Sequence, residues 1–150
     1  MSRRLILLRH AHRDKHGHVD NGLSEKGLKQ AAKLVKYFEK NFSEEKMKFY
    51  TSPKIRCIET ISPIAKSFSE DVTVMKLLDE GSFLEERAQE FMKWWAREAP
   101  PITVICSHGD WIPYLVFIMT GARIELKKGA FVEIIGPTGA PVLHTLIQEF

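Results

Sequence analysis

Two short segments of this 150-residue chain, Leu5-Ile6-Leu7-Leu8 and Ile102-Thr103-Val104-Ile105-Cys106, are apolar at almost every position. A half-exposed strand alternates apolar with polar side chains, so a run apolar on both sides must be covered on both sides. That is the pattern of strands in a parallel sheet packed between helices, and it excludes most all-β and all-helical arrangements.

The remaining segments agree with this reading. A first strand is predicted over 4–9. Leu28, Ala31, Ala32, Val35 and Phe38 then recur at helical spacing, with Ser24 as N-cap. Met47 to Thr51 reads as a second strand. Ser52-Pro53 follows it as a cap with proline at the first helical position, and Pro63 is expected to kink or split that helix. Val72 to Met75 is a short strand. Ser82 and Glu85 form a capping-box pattern ahead of a helix buried through Leu84, Ala88, Phe91, Met92 and Trp95.

Ile102 to Cys106 is bounded by Pro100-Pro101 and Ser107, and a hydrophobic helix from Asp110 to Thr120 stops at Gly121. Phe131 to Ile135 and Val142 to Ile147 flank Pro137-Thr138-Gly139-Ala140-Pro141, a hairpin signature. The expected fold is α/β: three layers, helices on both faces of a mainly parallel central sheet, and an antiparallel C-terminal edge. One domain over 1–150 is expected.

Composition narrows function by exclusion. The formal net charge is only +3 and the basic residues are scattered, so nucleic acid is not an expected partner. No apolar run reaches membrane-spanning length, and the run that ends at Leu8 is too short for a signal peptide; a cytoplasmic protein without membrane contact is expected. Cys57 and Cys106 do not make a disulfide framework and read as reduced, packed thiols.

Polar residues capable of chemistry fall where the strands end: Arg9 and His10, Arg56, Asp79 and Glu80, and His108. In α/β sheets that is the end at which ligands bind. Phosphoryl transfer through histidine needs an imidazole with one nitrogen free, cationic donors for the equatorial oxygens, and an acid for the leaving group. These residues supply each kind. Arg56 falls in a first helical turn, where free N–H groups also face an anion. Gly109 leaves room for close backbone approach.

Other constellations are weaker. His10, His12, His16 and His18 could hold a metal, but Arg13 and Lys15 oppose a cation. A polar substrate-access loop, with His12 or His16 touching substrate, is the better reading. Neither cysteine has an arginine six residues downstream, as the loop of a cysteine-dependent tyrosine phosphatase requires. Trp95 reads as core. Trp111 suits either a pocket wall or the core.

Taken together, Leu8-Arg9-His10-Ala11, Leu23-Ser24-Glu25-Lys26-Gly27 with Gln30-Ala31, Ser52-Pro53 through Arg56 and Glu59-Thr60, and Ser107-His108-Gly109 resemble the histidine phosphatase superfamily. Its fold is phosphoglycerate-mutase-like, and Lys127-Lys128-Gly129-Ala130 adds a weaker similarity. Short length and Arg-His-Ala look most like the small branch that includes SixA-type phosphohistidine phosphatases. The resemblance implies one histidine phosphatase domain, with His10 as nucleophile and Arg9, Arg56 and His108 as the phosphate pocket. It makes Glu80 the proton donor, with Asp79 its competitor.

No metal or other cofactor is implied. The substrate expected first is a phosphohistidine protein, and the alternative is a small phosphorylated metabolite or nucleotide. The chain departs from the family pattern at Gly81-Ser82-Phe83, where glycine and tryptophan usually follow the acid. It departs again at Asp20-Asn21-Gly22, where small-branch relatives often carry arginine. These departures leave a second reading, a catalytically silent phosphate-recognising module. A mutase would need an enclosing lid, for which the chain has no insertion.

Overall fold

A computed structural model describes residues 2–16 and 20–150. Leu5 and Leu7 point to one face of the first strand, β1 (Ser2–Arg9), while Ile6 and Leu8 point to the other, and all four are fully buried. Two cores follow from that alternation. Leu5 and Leu7 pack with Ile105 and Val132 under Phe91, Trp95, Trp111 and Leu115. Ile6 and Leu8 pack with Val104 and Cys106 under Leu34, Phe38, Ile61 and Ile64.

The helices are α1 (Glu25–Phe42) and α2 (Ile55–Ser67) on the second core, and α3 (Leu84–Arg97) and α4 (Trp111–Thr120) on the first. The other strands are β2 (Lys48–Thr51), β3 (Val72–Val74), β4 (Ile102–Ser107), β5 (Phe131–Pro137) and β6 (Val142–Ile147). They form one six-stranded sheet in the order β3-β2-β4-β1-β5-β6. β3, β2, β4 and β1 pair in parallel, and β5 and β6 close the sheet antiparallel. This is the expected three-layer α/β architecture. The parallel strands deliver Arg9, Thr51, Ser107 and the segment after β3 to one end of the sheet. Among the described residues no helix is long and apolar enough to cross a membrane.

Ser24 caps α1 as predicted, accepting the Gly27 N–H at 3.1 Å, and Gly121 closes α4 in the left-handed region at φ 79°. Four local expectations are corrected. The buried stripe of α1 is Gly27, Ala31, Leu34, Phe38 and Phe42, and Leu28 is 56% exposed. α2 begins after Lys54 rather than at Pro53: the Ser52 hydroxyl accepts only the Lys54 N–H, and Lys54, in extended backbone, is the N-cap. It also runs unbroken through Pro63, which lies on the exposed side of the helix. No Ser82–Glu85 capping box forms: α3 starts at Leu84, after Phe83 in the left-handed region.

Candidate active site

β1 ends at Arg9, and the chain crosses the sheet end at His10, whose N–H donates to Ser107 O at 3.1 Å. The His10 ring is 5% exposed. Its Nδ1 donates to Ala11 O at 2.9 Å, which fixes the proton on Nδ1 and leaves the lone pair on Nε2. Arg56 Nε donates towards that nitrogen at 3.4 Å. Burial foremost, and then the positive fields of His108, Arg56 and Arg9, pull the imidazole down to about 3 against the opposing backbone bond from Ala11. The ring is therefore neutral throughout the physiological range.

Arg56 is 2% exposed, in the first turn of α2. Its Nη2 donates to Glu80 Oε2 at 2.6 Å, while Nη1 is buried with no partner among the described residues. Glu80 Oε1 stands 3.2 Å from His108 Nδ1. Partial burial would raise the Glu80 carboxyl, but the Arg56 hydrogen bond and the charges around it hold it below its usual range. Asp79 is more distant, with Oδ1 3.8 Å from His108 Nε2 and Oδ2 3.7 Å from Lys54.

His108 leaves β4 and faces His10 edge-on, with ring centroids 5.4 Å apart at 60°. The Ser52 hydroxyl accepts the Lys54 N–H and lies within hydrogen-bond distance, 2.8 Å, of His108 Nε2. His108 Nδ1 is buried and, although 3.2 Å from Glu80 Oε1, makes no hydrogen bond among the described residues. Arg9 donates through Nη1 to Leu126 O at 2.6 Å and leaves Nε unpartnered. Its guanidinium lies on Gly109, where an added Cβ would come within 2.6 Å of Cζ.

Arg9, His10, Arg56, Glu80 and His108 thus gather at the end of the sheet. Among the described residues two buried guanidinium donors, Arg9 Nε and Arg56 Nη1, lack hydrogen-bond partners there, while His108 Nδ1 lies 3.2 Å from Glu80 Oε1 without a formed hydrogen bond. Buried donors are rarely left unpaired, and a cluster of them on cationic groups is a place for an anion.

Several supporting residues were not assigned a part by the sequence reading. Thr60 Oγ1 accepts the Ala11 N–H at 3.0 Å and donates to Arg56 O at 2.7 Å, joining the His10 loop to α2. Ser107 Oγ donates to Leu78 O at 2.6 Å. Arg87, in the first turn of α3, donates to the carbonyls of Leu77, Asp79, Gly81 and Ser82, gripping the segment that carries Glu80. Ser52 and Thr60 stood within recognisable motifs. Nothing in the spacing marks Arg87.

Trp111 belongs to the core, packed edge-on against Phe91, and does not wall the site. Cys57 and Cys106 are buried free thiols, as expected, although Cys57 Sγ lies 3.6 Å from His108 Nε2. Among the described residues the histidine-rich stretch does not converge: His12 Nδ1 bonds Ser24 Oγ at 2.7 Å and His16 is exposed; His18 lies outside the described residues.

Solved structures share this fold. The model aligns with a structure titled mycobacterial hydrolase 1 at a TM-score of 0.83 and 16% identity, covering 100% of both chains. The protein histidine phosphatase SixA, solved with tungstate, aligns at 0.81 and 12% identity over 97% of this chain and 96% of that one. Phosphoserine phosphatase from Entamoeba histolytica, in complex with phosphoserine, aligns at 0.74 and 18% identity over 96% of each. No curated protein matches significantly by sequence. The family model for the histidine phosphatase superfamily, branch 1, matches residues 5–85, more than half of the chain and the part that holds His10, Arg56 and Glu80. The chain belongs to the histidine phosphatase superfamily, branch 1, and is a hydrolase of phosphate esters.

Proposed function

We propose that this phosphatase passes the phosphoryl group through His10. The observation that carries the reading is one lone-pair nitrogen, His10 Nε2, set beside two buried guanidinium donors, Arg9 Nε and Arg56 Nη1, that lack hydrogen-bond partners among the described residues. In the first step the Nε2 lone pair attacks phosphorus, a P–N bond forms, and the bond to the leaving group breaks. Arg9, Arg56 and His108 donate to the equatorial oxygens as charge redistributes among them. The leaving group takes a proton from Glu80. In the second step Glu80, now a carboxylate, takes a proton from water, whose oxygen attacks phosphorus. The P–N bond breaks, and His10 and phosphate are released.

Glu80 rests as a carboxylate on Arg56. A phosphoryl dianion that takes over part of Arg56 weakens that hold and brings negative charge beside Glu80. Both effects raise its proton affinity, so Glu80 takes up a proton from solvent as substrate binds and holds it for the leaving group.

Two substrate classes suit this chemistry. A phosphohistidine protein, the substrate class that the name protein histidine phosphatase gives to SixA, has an imidazole leaving group that needs a weaker acid than an alkoxide does. That fits the altered segment after Glu80. A small phosphorylated metabolite, the class named for the phosphoserine phosphatase, is favoured by the cleft described below.

The test is hydrolysis of an aryl phosphate in EDTA by native protein and by His10→Ala. Turnover that survives EDTA and vanishes with His10 is expected, with a 32P-labelled, acid-labile adduct trapped on the native chain. Activity retained by His10→Ala would overturn the mechanism. Phosphate binding without turnover of any phosphomonoester or phosphohistidine would turn the reading to the silent recognition module.

A further inference from the structure

Beside the His10 loop lies a cleft of about 870 Å³ that the mechanism does not use. Lys26, Lys29 and Lys33 line one wall from α1, Lys127 and Lys128 line the other, and His12 stands between. Lysines on one helix stripe are usually no more than a solvated face. Here the segment before β5 sets two more opposite them, and its backbone is fixed to the catalytic loop. Gly129 N–H donates to the Arg9 and His10 carbonyls at 3.2 and 3.1 Å, and Gln30 joins His12 N–H to Lys128 O. β5 enters the sheet with Phe131 opposite Leu8, so the cleft opens at the end of the sheet that carries His10.

The charge in the cleft is only partly compensated. Lys127 pairs with Glu149 at 3.0 Å, and Glu25 also lines the wall. Among the described residues Lys26, Lys29, Lys33 and Lys128 take part in no salt bridge. Partial burial lowers the Lys128 ammonium, and the charges of Lys15, Arg9, Arg13 and Lys26 lower it further, so the cleft lies within the electrostatic reach of the phosphate pocket.

We infer that this cleft holds a second phosphate of the substrate, making small, multiply phosphorylated metabolites the preferred class. The inference rests on the phosphatase reading above and selects between its two substrate classes. The volume is that of small-molecule sites, roughly 300–1,000 Å³. Lysine is a point-charge phosphate binder and is depleted from the cores of protein interfaces, so a concave lysine cleft suits a polyanion better than a docked protein. One phosphoryl group would sit among Arg9, Arg56 and His108 while another meets the lysines.

The test is calorimetric titration with inorganic phosphate and with inositol hexakisphosphate at fixed salt. It compares native protein, Lys29→Glu/Lys128→Glu, and a control of equal charge change on distant surfaces, Lys66→Glu/Lys93→Glu. Thermal midpoints establish that each variant is folded. Inositol hexakisphosphate is expected to bind native protein at least about tenfold more tightly than phosphate. That advantage should be lost in the cleft variant and kept in the control. Equal affinity for the two probes, or equal loss in both variants, overturns the proposal.

Binding needs no turnover, so these outcomes stand even if the phosphatase mechanism fails. In the kinetic arm, competitive inhibition of aryl phosphate hydrolysis by inositol hexakisphosphate supports a substrate that spans both regions. Non-competitive inhibition, or preferential turnover of a phosphohistidine protein unaffected by inositol hexakisphosphate, overturns it.

Discussion

Arg56 Nε approaches His10 Nε2 at 3.4 Å, so a buried cation stands against the one nitrogen of that ring that carries a lone pair. Burial foremost, with His108, Arg56 and Arg9 adding to it, keeps the imidazole unprotonated. A phosphoryl group entering there meets the nucleophile and the guanidinium together.

That depressed imidazole has a consequence for stability. An unfolded His10 titrates near 6.5, whereas the folded one is lowered to about 3. Between those values the unfolded chain binds the extra proton, so this contribution is lost as pH falls from 6.5, by roughly 1 kcal/mol per pH unit. His10→Gln should show a shallower loss between pH 6.5 and 4 in urea unfolding. Parallel pH profiles for the two proteins would sink the argument.

Arg87 holds four carbonyls of the segment that bears Glu80 without itself reaching His10 or Arg56 in any contact described above. As a positioning residue it should govern kcat more than phosphate affinity. Arg87→Ala is expected to lower kcat about tenfold or more, since small misplacements of a reacting group are costly. Inhibition by inorganic phosphate should change little. Arg87→Lys should rescue poorly, because one ammonium cannot reproduce the fork. A fall in phosphate affinity matching the fall in kcat would instead indicate general disruption.

Gly27 is a packing requirement. A Cβ there would lie 1.9 Å from the His12 carbonyl oxygen, a backbone atom also bonded by Ser24. Gly27→Ala should cost about 1–3 kcal/mol as the loop is forced off α1, measured as a lowered midpoint in denaturant. A variant as stable as the native chain would show that the loop yields freely.

Gly109 differs in kind, because what a Cβ would strike is the Arg9 guanidinium. Gly109→Ala should leave the thermal midpoint nearly unchanged and weaken inhibition by inorganic phosphate several-fold. Unaltered phosphate inhibition would mean that the position of Arg9 against Gly109 is immaterial.

The fold was legible wherever the signal was local and repeated: the doubly apolar β1 and β4, the Ser24 cap, the Gly121 stop and the hairpin. It was misread where one local pattern competed with a distant partner. Ser82 and Glu85 have capping-box spacing, but Arg87 claims the Ser82 carbonyl and the helix begins two residues later. Ser52 looks like a cap, yet its hydroxyl turns to His108 across the sheet. The principal site residues were visible because strand ends converge in a parallel sheet. Arg87 and the lysine cleft were not, since both depend on how loops far apart in sequence come to face one another.

The position of β1 also separates two tasks. On its parallel side, β4 and β2 bring His108 and Arg56, the groups proposed to hold the phosphoryl group beside His10, in a frame braced by Ser52, Thr60 and Ser107. On its antiparallel side, the segment leading into β5 braces the Arg9–His10 backbone and the Arg9 guanidinium through main-chain groups alone. The side chains of residues 127–128 and of the lysine stripe on α1 can therefore change with little penalty to the chemistry, so long as Gly27, Gln30 and Gly129 keep their contacts with the loop. New substrates are reached by editing one flank of a single strand while the other flank preserves the chemistry.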